Sequence, residues 1–205
     1  SADHIGPISL GFCHRPRFQP MTIQQNSSKG NRMSLNDVKL LISDENKGEK
    51  VVSWHTQPLW DSLKYYIKSN KDALLLSKYM RRNMHYILST FALYKQKGYE
   101  ENLKIFLNPE HAYYSIKIIG FNKKNGSFKE IIKTAGDKKQ YANNSSRYIR
   151  KSLDALDKYM EKNNRKQTEH NDFFKDDDQA PTKPILLKRF KNYASKLKSD
   201  FIKEQ

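Results

Sequence analysis

Residues 113–133, YYSIKIIGFNKKNGSFKEIIK, interrupt an otherwise helical pattern. In YYSIKIIGF, Tyr114, Ile116, Ile118 and Gly120 fall on one side of an extended chain. Tyr113, Ser115, Lys117, Ile119 and Phe121 fall on the other. That period of two belongs to a strand, and Asn125-Gly126 is a hairpin signal because both residues tolerate left-handed backbone. With LKIFL (103–107) just upstream, the stretch predicts an antiparallel β-meander over about residues 103–133.

Outward from the meander the period becomes 3.6. Leu75, Leu76, Tyr79, Met80, Met84, Ile87, Leu88, Phe91 and Tyr94 predict a long helix over 72–97, with Gly98 as its terminator. Earlier, Ser34 and Asp37 stand in capping-box spacing before Leu35, Val38, Leu41 and Ile42. Pro58 opens a further short helix, since a first-turn proline loses no hydrogen bond there. HIGPISLGF and VVSWH are short strand candidates, while QQNSSKGNR and TAGDKKQYANN read as loops. A helix capped by Ser145 or Ser146 follows, and a last one runs over 184–203.

This order predicts an α+β fold: a helical body, a short antiparallel meander and a basic C-terminal helix. Residues 1–33 form an irregular N-terminal segment with a possible strand, 34–163 the main domain, 164–183 an acidic and polar linker, and 184–205 the basic helix. The linker's composition argues that the last helix is an appendage with modest contacts.

The chain has 205 residues, with 38 Lys+Arg against 22 Asp+Glu and a formal net charge of +16. Such a charge repels itself and favours a neutralising partner: nucleic acid, an acidic protein or an anionic lipid surface. A single cysteine excludes an internal disulfide and suits a reducing compartment. No apolar stretch approaches the roughly 20 residues that span a membrane. The start, SADHIGPISL, has neither an initiator Met nor a signal-peptide pattern, so a fragment or processed chain is expected.

GFCHRPRF (11–18) gathers Cys13, His14, Arg15 and Arg17 around Pro16. Cys13 and His14 are adjacent and do not form a dyad; a nucleophile would need His55, His85, His111 or His170 brought near by the fold. The arginines at the end of ISLGF resemble the dinucleotide-gripping arginine of ADP-ribosyltransferase toxins, whose E-x-E signature is absent here. A restriction-type nuclease site needs an Asp and then E-x-K or D-x-K to hold Mg²⁺. The meander offers Glu130 and Lys133 in KEIIK, one residue too far apart. The acidic run DFFKDDD (172–178) reads as linker, and no metal ligand set is assigned.

What remains is basic residues interleaved with aromatics. Arg81 and Arg82 lie in the long helix, Arg147, Arg150 and Lys151 share a face of the next, and Lys188 and Arg189 lie in the last. With Arg15 and Arg17 they form the expected nucleic-acid-binding set, because cations along helices suit phosphate contacts. The sequence therefore reads as a basic polyanion-binding protein, nucleic acid being the leading partner. The alternative is a secreted or translocated toxin or effector enzyme, with a nucleotide as its possible cofactor. Whether there is catalysis stays open at this level.

Overall fold

The computed structural model describes residues 2–15, 17–108, 114–135, 138–162 and 180–205. Helix α4 (Asn70–Gln96) runs through the middle of the described fold and is the element around which the others pack. At about 1.5 Å per residue it is roughly 40 Å long. Its start is written locally: Ser69 accepts from the Asp72 backbone N–H at 3.1 Å, and the Asp72 carboxylate accepts from the Ser69 N–H at 3.1 Å. Leu76, Tyr79, Met80, Asn83, Tyr86, Ile87, Thr90, Phe91 and Tyr94 are buried along it. That stripe is wider than one helix face, so the helix is covered from several sides.

Four helices supply much of the cover. Helix α2 (Leu35–Asn46) begins on the same device, with Ser34 and Asp37 forming a reciprocal capping box. Helix α3 (Gln57–Leu63) carries Pro58 in its first turn and buries Leu59, Trp60 and Leu63. Helix α6 (Lys138–Lys162) docks its C-terminal half, where Lys95 meets Asp157 at 2.5 Å and the Tyr159 and Ser89 hydroxyls lie 2.8 Å apart. Helix α7 (Lys183–Glu204) packs on α3 and α4.

Contrary to the appendage expected of α7, Leu186, Phe190, Leu197 and Phe201 are fully buried. The Tyr193 ring stacks on Tyr86 at 4.0 Å between centroids. Phe190 meets Trp54, Tyr86 and Phe91, and Phe201 meets Tyr79 edge-on. An apolar stripe at i, i+4, i+7 and i+11 finds its complement on elements far back in the chain, and linker composition carries no information about that. The linker itself lies outside the described residues over 163–179.

At the N-terminus, β1 (Ala2–His4) pairs antiparallel with β2 (Phe18–Pro20), His4 opposite Phe18. The chain between them makes a 3-10 turn at Ile8–Leu10 and then lays Phe12 beside Val52 in a single bridge. Gly11 sits at φ +95, and a Cβ there would collide with the Thr56 side chain. VVSWH thus supplies a bridge rather than a strand. The QQNSSKG loop is in fact helix α1 (Ile23–Lys29), nucleated by a Thr22–Gln25 capping box.

The expected meander is a two-stranded hairpin. Strand β3 (Tyr114–Ile119) pairs with β4 (Glu130–Ala135) from Tyr114↔Ala135 to Ile119↔Glu130. LKIFL instead lies within helix α5 (Glu100–Phe106) and the residue after it. Glu100 and Glu101 favour a helix N-terminus, and Leu103 is buried while Ile105 is 73% exposed. Helix α6 starts at Lys138, several residues before the serines expected to cap it, and Ser145 is buried inside it. Asn and Ser cost only tenths of a kcal/mol each in a helix, about 0.5 on common scales, so packing overrides them.

Candidate nucleic-acid interface

The stretch GFCHRPRF is fastened to the body by its own arginines. Cys13 donates its backbone N–H to the Val51 carbonyl at 2.8 Å, and Ser53 donates to Gly11 at 2.9 Å. The buried Arg15 guanidinium donates from both terminal nitrogens to Asp44 Oδ2 at 3.1 Å, and from Nη1 to Glu49 at 2.6 Å. Arg17 Nε lies 3.3 Å from the same Asp44 oxygen and is 44% exposed. A buried cation is tolerated only with its partners in place, so this cluster welds the loop to the end of α2. Arg15 spends its charge inside, whereas Arg17 keeps part of its surface open.

Beside that weld, three aromatic or imidazole rings meet. His4 of β1 and His14 have ring centroids 4.9 Å apart, and His14 and Tyr148 of α6 have theirs 5.3 Å apart. His14 Nδ1 and the Tyr148 hydroxyl share a hydrogen bond of 3.0 Å. Burial lowers both imidazole pKa values, and for His4 the neighbouring His14 lowers it further against the raising effect of Asp3. Burial raises the Tyr148 phenol, opposed by the charge of Arg147. The rings are therefore neutral near pH 7 and serve as a polar seam between the N-terminal loop and α6.

That seam joins two segments that lie far apart in the chain. Arg147, Arg150 and Lys151 flank Tyr148 at helical spacing and are exposed. On the N-terminal side of the seam, Arg17 lies three residues beyond His14 and is 44% exposed. The sequence offered no signal for His4, His14 and Tyr148 as partners, because 134 residues separate His14 from Tyr148.

The other expected cations sit elsewhere. Arg82 of α4 lies over the Tyr79 ring at 5.2 Å and 3.9 Å from Asp200 of α7. Lys78 and the Tyr79 hydroxyl both reach Glu204 at 2.6 Å. Arg189 lies near Tyr86, whose phenol pKa burial raises and Arg189 partly restores. Arg81 and Lys188 are exposed. These four residues belong to the α4–α7 contact and its margins, while the α6 group belongs to the N-terminal seam.

His55 lies against Trp54 and Phe91, with Nδ1 2.9 Å from the Thr56 hydroxyl. Burial, with the charge of Lys50 added, pushes its pKa down to about 4. Lys29 bridges Asp3 at 2.5 Å and Asp37 at 3.2 Å, and Gln19 donates to both carboxylates. Among the described residues, no three His, Cys, Asp or Glu side chains gather as a metal site. The carboxylates of Asp3 and Asp37, and of Asp44 and Glu49, are held by Lys29 and Arg15 respectively. Neither pair is open to a divalent ion. Glu130 opens β4 opposite Ile119, and the acidic run 172–178 lies outside the described residues.

Comparison with known proteins supplies the class. The family model described as Type II restriction endonuclease (RE_Alw26IDE) matches residues 1–173. No curated protein and no solved structure matches the chain. The match overturns the reading as a generic polyanion binder, and equally the toxin or effector alternative, which composition and charge had allowed. Charge indicates an anionic partner but does not distinguish a passive binder from an enzyme acting on the same polymer; nucleic-acid binding, with DNA as the polymer, is what carries over from that reading. A match spanning both halves of the basic seam, from the N-terminal loop through α6, establishes that the chain belongs to this type II restriction endonuclease family.

Proposed function

We propose that this chain acts on duplex DNA as a restriction endonuclease and grips the DNA backbone with Arg17, Arg147, Arg150 and Lys151. The observation that carries the reading is the family match over residues 1–173, which includes every element of the seam and ends before α7. Phosphodiester hydrolysis of this class uses a divalent ion to polarise the phosphate and lower the pKa of the attacking water. The Asp44–Glu49 and Asp3–Asp37 pairs are already neutralised by Arg15 and Lys29 and do not fit such an ion, so no catalytic step is assigned to them.

The seam suits phosphate binding for a physical reason. Arg147, Arg150 and Lys151 project from one helix face, and Tyr148 is held in place between them by His14. Fixing the helix beforehand lowers the ordering cost of each phosphate contact. Incubating the full chain with plasmid DNA and Mg²⁺ tests the reading. Discrete fragments that disappear with EDTA support it. Binding to DNA without cleavage, over a panel of plasmids, would overturn the endonuclease assignment for this chain.

A further inference from the structure

The β3–β4 hairpin carries residues that the body does not use. Phe121 is 54% exposed and Ile118 43% exposed, and Lys117, Lys123, Lys124 and Lys129 are all exposed around them. Phe121 and Ile118 put apolar surface side by side with charge, and five lysines against one glutamate, Glu130, make the ribbon strongly positive.

The loop is also pre-ordered. Lys129 donates to the Ile119 carbonyl at 2.9 Å and closes the ladder. Asn122 donates to Ser127 at 2.7 Å, and Gly126 donates back to Asn122 at 2.8 Å. The Asn122 side-chain oxygen accepts from Lys124 N–H, and that of Asn125 accepts from Ser127 N–H and Oγ. Gly120 turns the chain at φ +67, where a Cβ would press on the Lys129 side chain at 2.8 Å. Phe121, Lys123 and Lys124 are thus presented from a fixed scaffold rather than a slack loop.

Resting on the reading of this chain as a DNA-acting protein, we infer that the hairpin enters the major groove of duplex DNA. Phe121 meets a base edge there, and Lys123 and Lys124 meet the flanking phosphates. Two strands about 4.8 Å apart, with side chains, fit a major groove about 12 Å wide but not a minor groove about 6 Å wide. An aromatic side chain in that groove finds the thymine methyl as its natural apolar contact. Charge complementarity sets the partner: a lysine-rich ribbon opposes a polyphosphate.

The test uses the full chain and duplex DNA across a salt series. For K123A/K124A the slope of log affinity against log salt should become shallower by about 2, as two phosphates go unmatched. For Phe121→Ala the affinity should fall roughly fivefold with the slope unchanged, since apolar burial alone is removed. A major-groove dye such as methyl green should be displaced by the wild-type chain, while distamycin in the minor groove should not. Both variants change exposed side chains, and unchanged thermal melting confirms that the fold is intact. If wild type binds and both variants bind identically, the hairpin assignment is overturned while the DNA reading stands. Displacement of distamycin alone overturns the groove. If wild type shows no DNA binding at about 50 mM salt, the DNA reading itself falls.

Discussion

Helices α6 and α7 look alike on paper and do opposite work. Both are long, amphipathic and rich in cations: Lys138, Lys139, Arg147, Arg150, Lys151, Lys158 and Lys162 in one, Lys183, Lys188, Arg189, Lys191, Lys196, Lys198 and Lys203 in the other. By charge alone α7 is the better DNA candidate, with only Asp200 and Glu204 against it. In the fold, α7 buries Phe190 and Phe201 in the core, and its two acids reach Arg82, Lys78 and Tyr79 of α4. Helix α6 fixes its C-terminal half to α4 and leaves Arg147, Arg150 and Lys151 outward, next to the N-terminal loop. The difference teaches that the sign of a helix's charge says less than what occupies its other face.

The largest effect that could break this comparison is removal of α7. Deleting residues 182–205 should give an aggregated or molten product by circular dichroism, because the core loses Leu186, Phe190, Leu197 and Phe201 at once. Phe190→Ala alone should cost about 3–5 kcal/mol and lower the melting temperature accordingly. Retention of a sharp, unshifted melt in either variant would return α7 to the status of an appendage.

Arg15→Ala comes next. It leaves the buried Asp44 carboxylate with the half-exposed Arg17 in place of two arginines, and the loss should approach but not exceed the roughly 3–5 kcal/mol typical of a broken buried pair. Asp44→Ala in the same chain should recover part of that loss, measured by denaturant unfolding. Additive destabilisation in the double variant would show that the two groups do not depend on each other.

Acidification probes the core that α7 helps to enclose. His55 has a folded pKa of about 4, below its ordinary 6.5, so the unfolded chain takes up the proton first. Its contribution is complete above about pH 6.5 and is lost as pH falls toward 4, by roughly 3 kcal/mol at most. Comparing His55→Phe with wild type across that window isolates this residue, and the variant should show a shallower decline in stability between pH 6.5 and 4.

The smallest stability effects, and the ones that sharpen the contrast most, fall on the cations. Arg147→Ala, Arg150→Ala and Lys151→Ala should each leave melting within about 0.5 kcal/mol of wild type. Each should make the salt slope of DNA binding shallower by about 1. Arg82→Ala, whose guanidinium is shared with Tyr79 and Asp200, should change that slope least. Equal slopes across the four variants would dissolve the distinction between the two helices.

Much of the helical framework was legible locally. Ser34 with Asp37 and Pro58 mark helix starts because caps and first-turn prolines act within four residues. The period change at 113–133 identified the hairpin, since side-chain alternation is a property of one strand. The face formed by Arg147, Arg150 and Lys151 was readable for the same reason: helical spacing is short-range. Local signals failed where residues had two acceptable states. LKIFL alternates well enough for a strand, yet Leu103 packs in a helical turn beside α4. Asn143 to Ser146 look like a helix start, yet the helix runs through them.

The sequence by itself determined the α+β class, the main helix starts and the identity of the exposed cations on α6. Tertiary structure alone decided that α7 is core, that Arg15 is spent on Asp44, and that His14 meets Tyr148. Those outcomes depend on contacts between residues 29 to more than 100 positions apart, such as Arg15 with Asp44 and His14 with Tyr148. Their energies come from burial and desolvation, which exist only once the whole chain has closed around them.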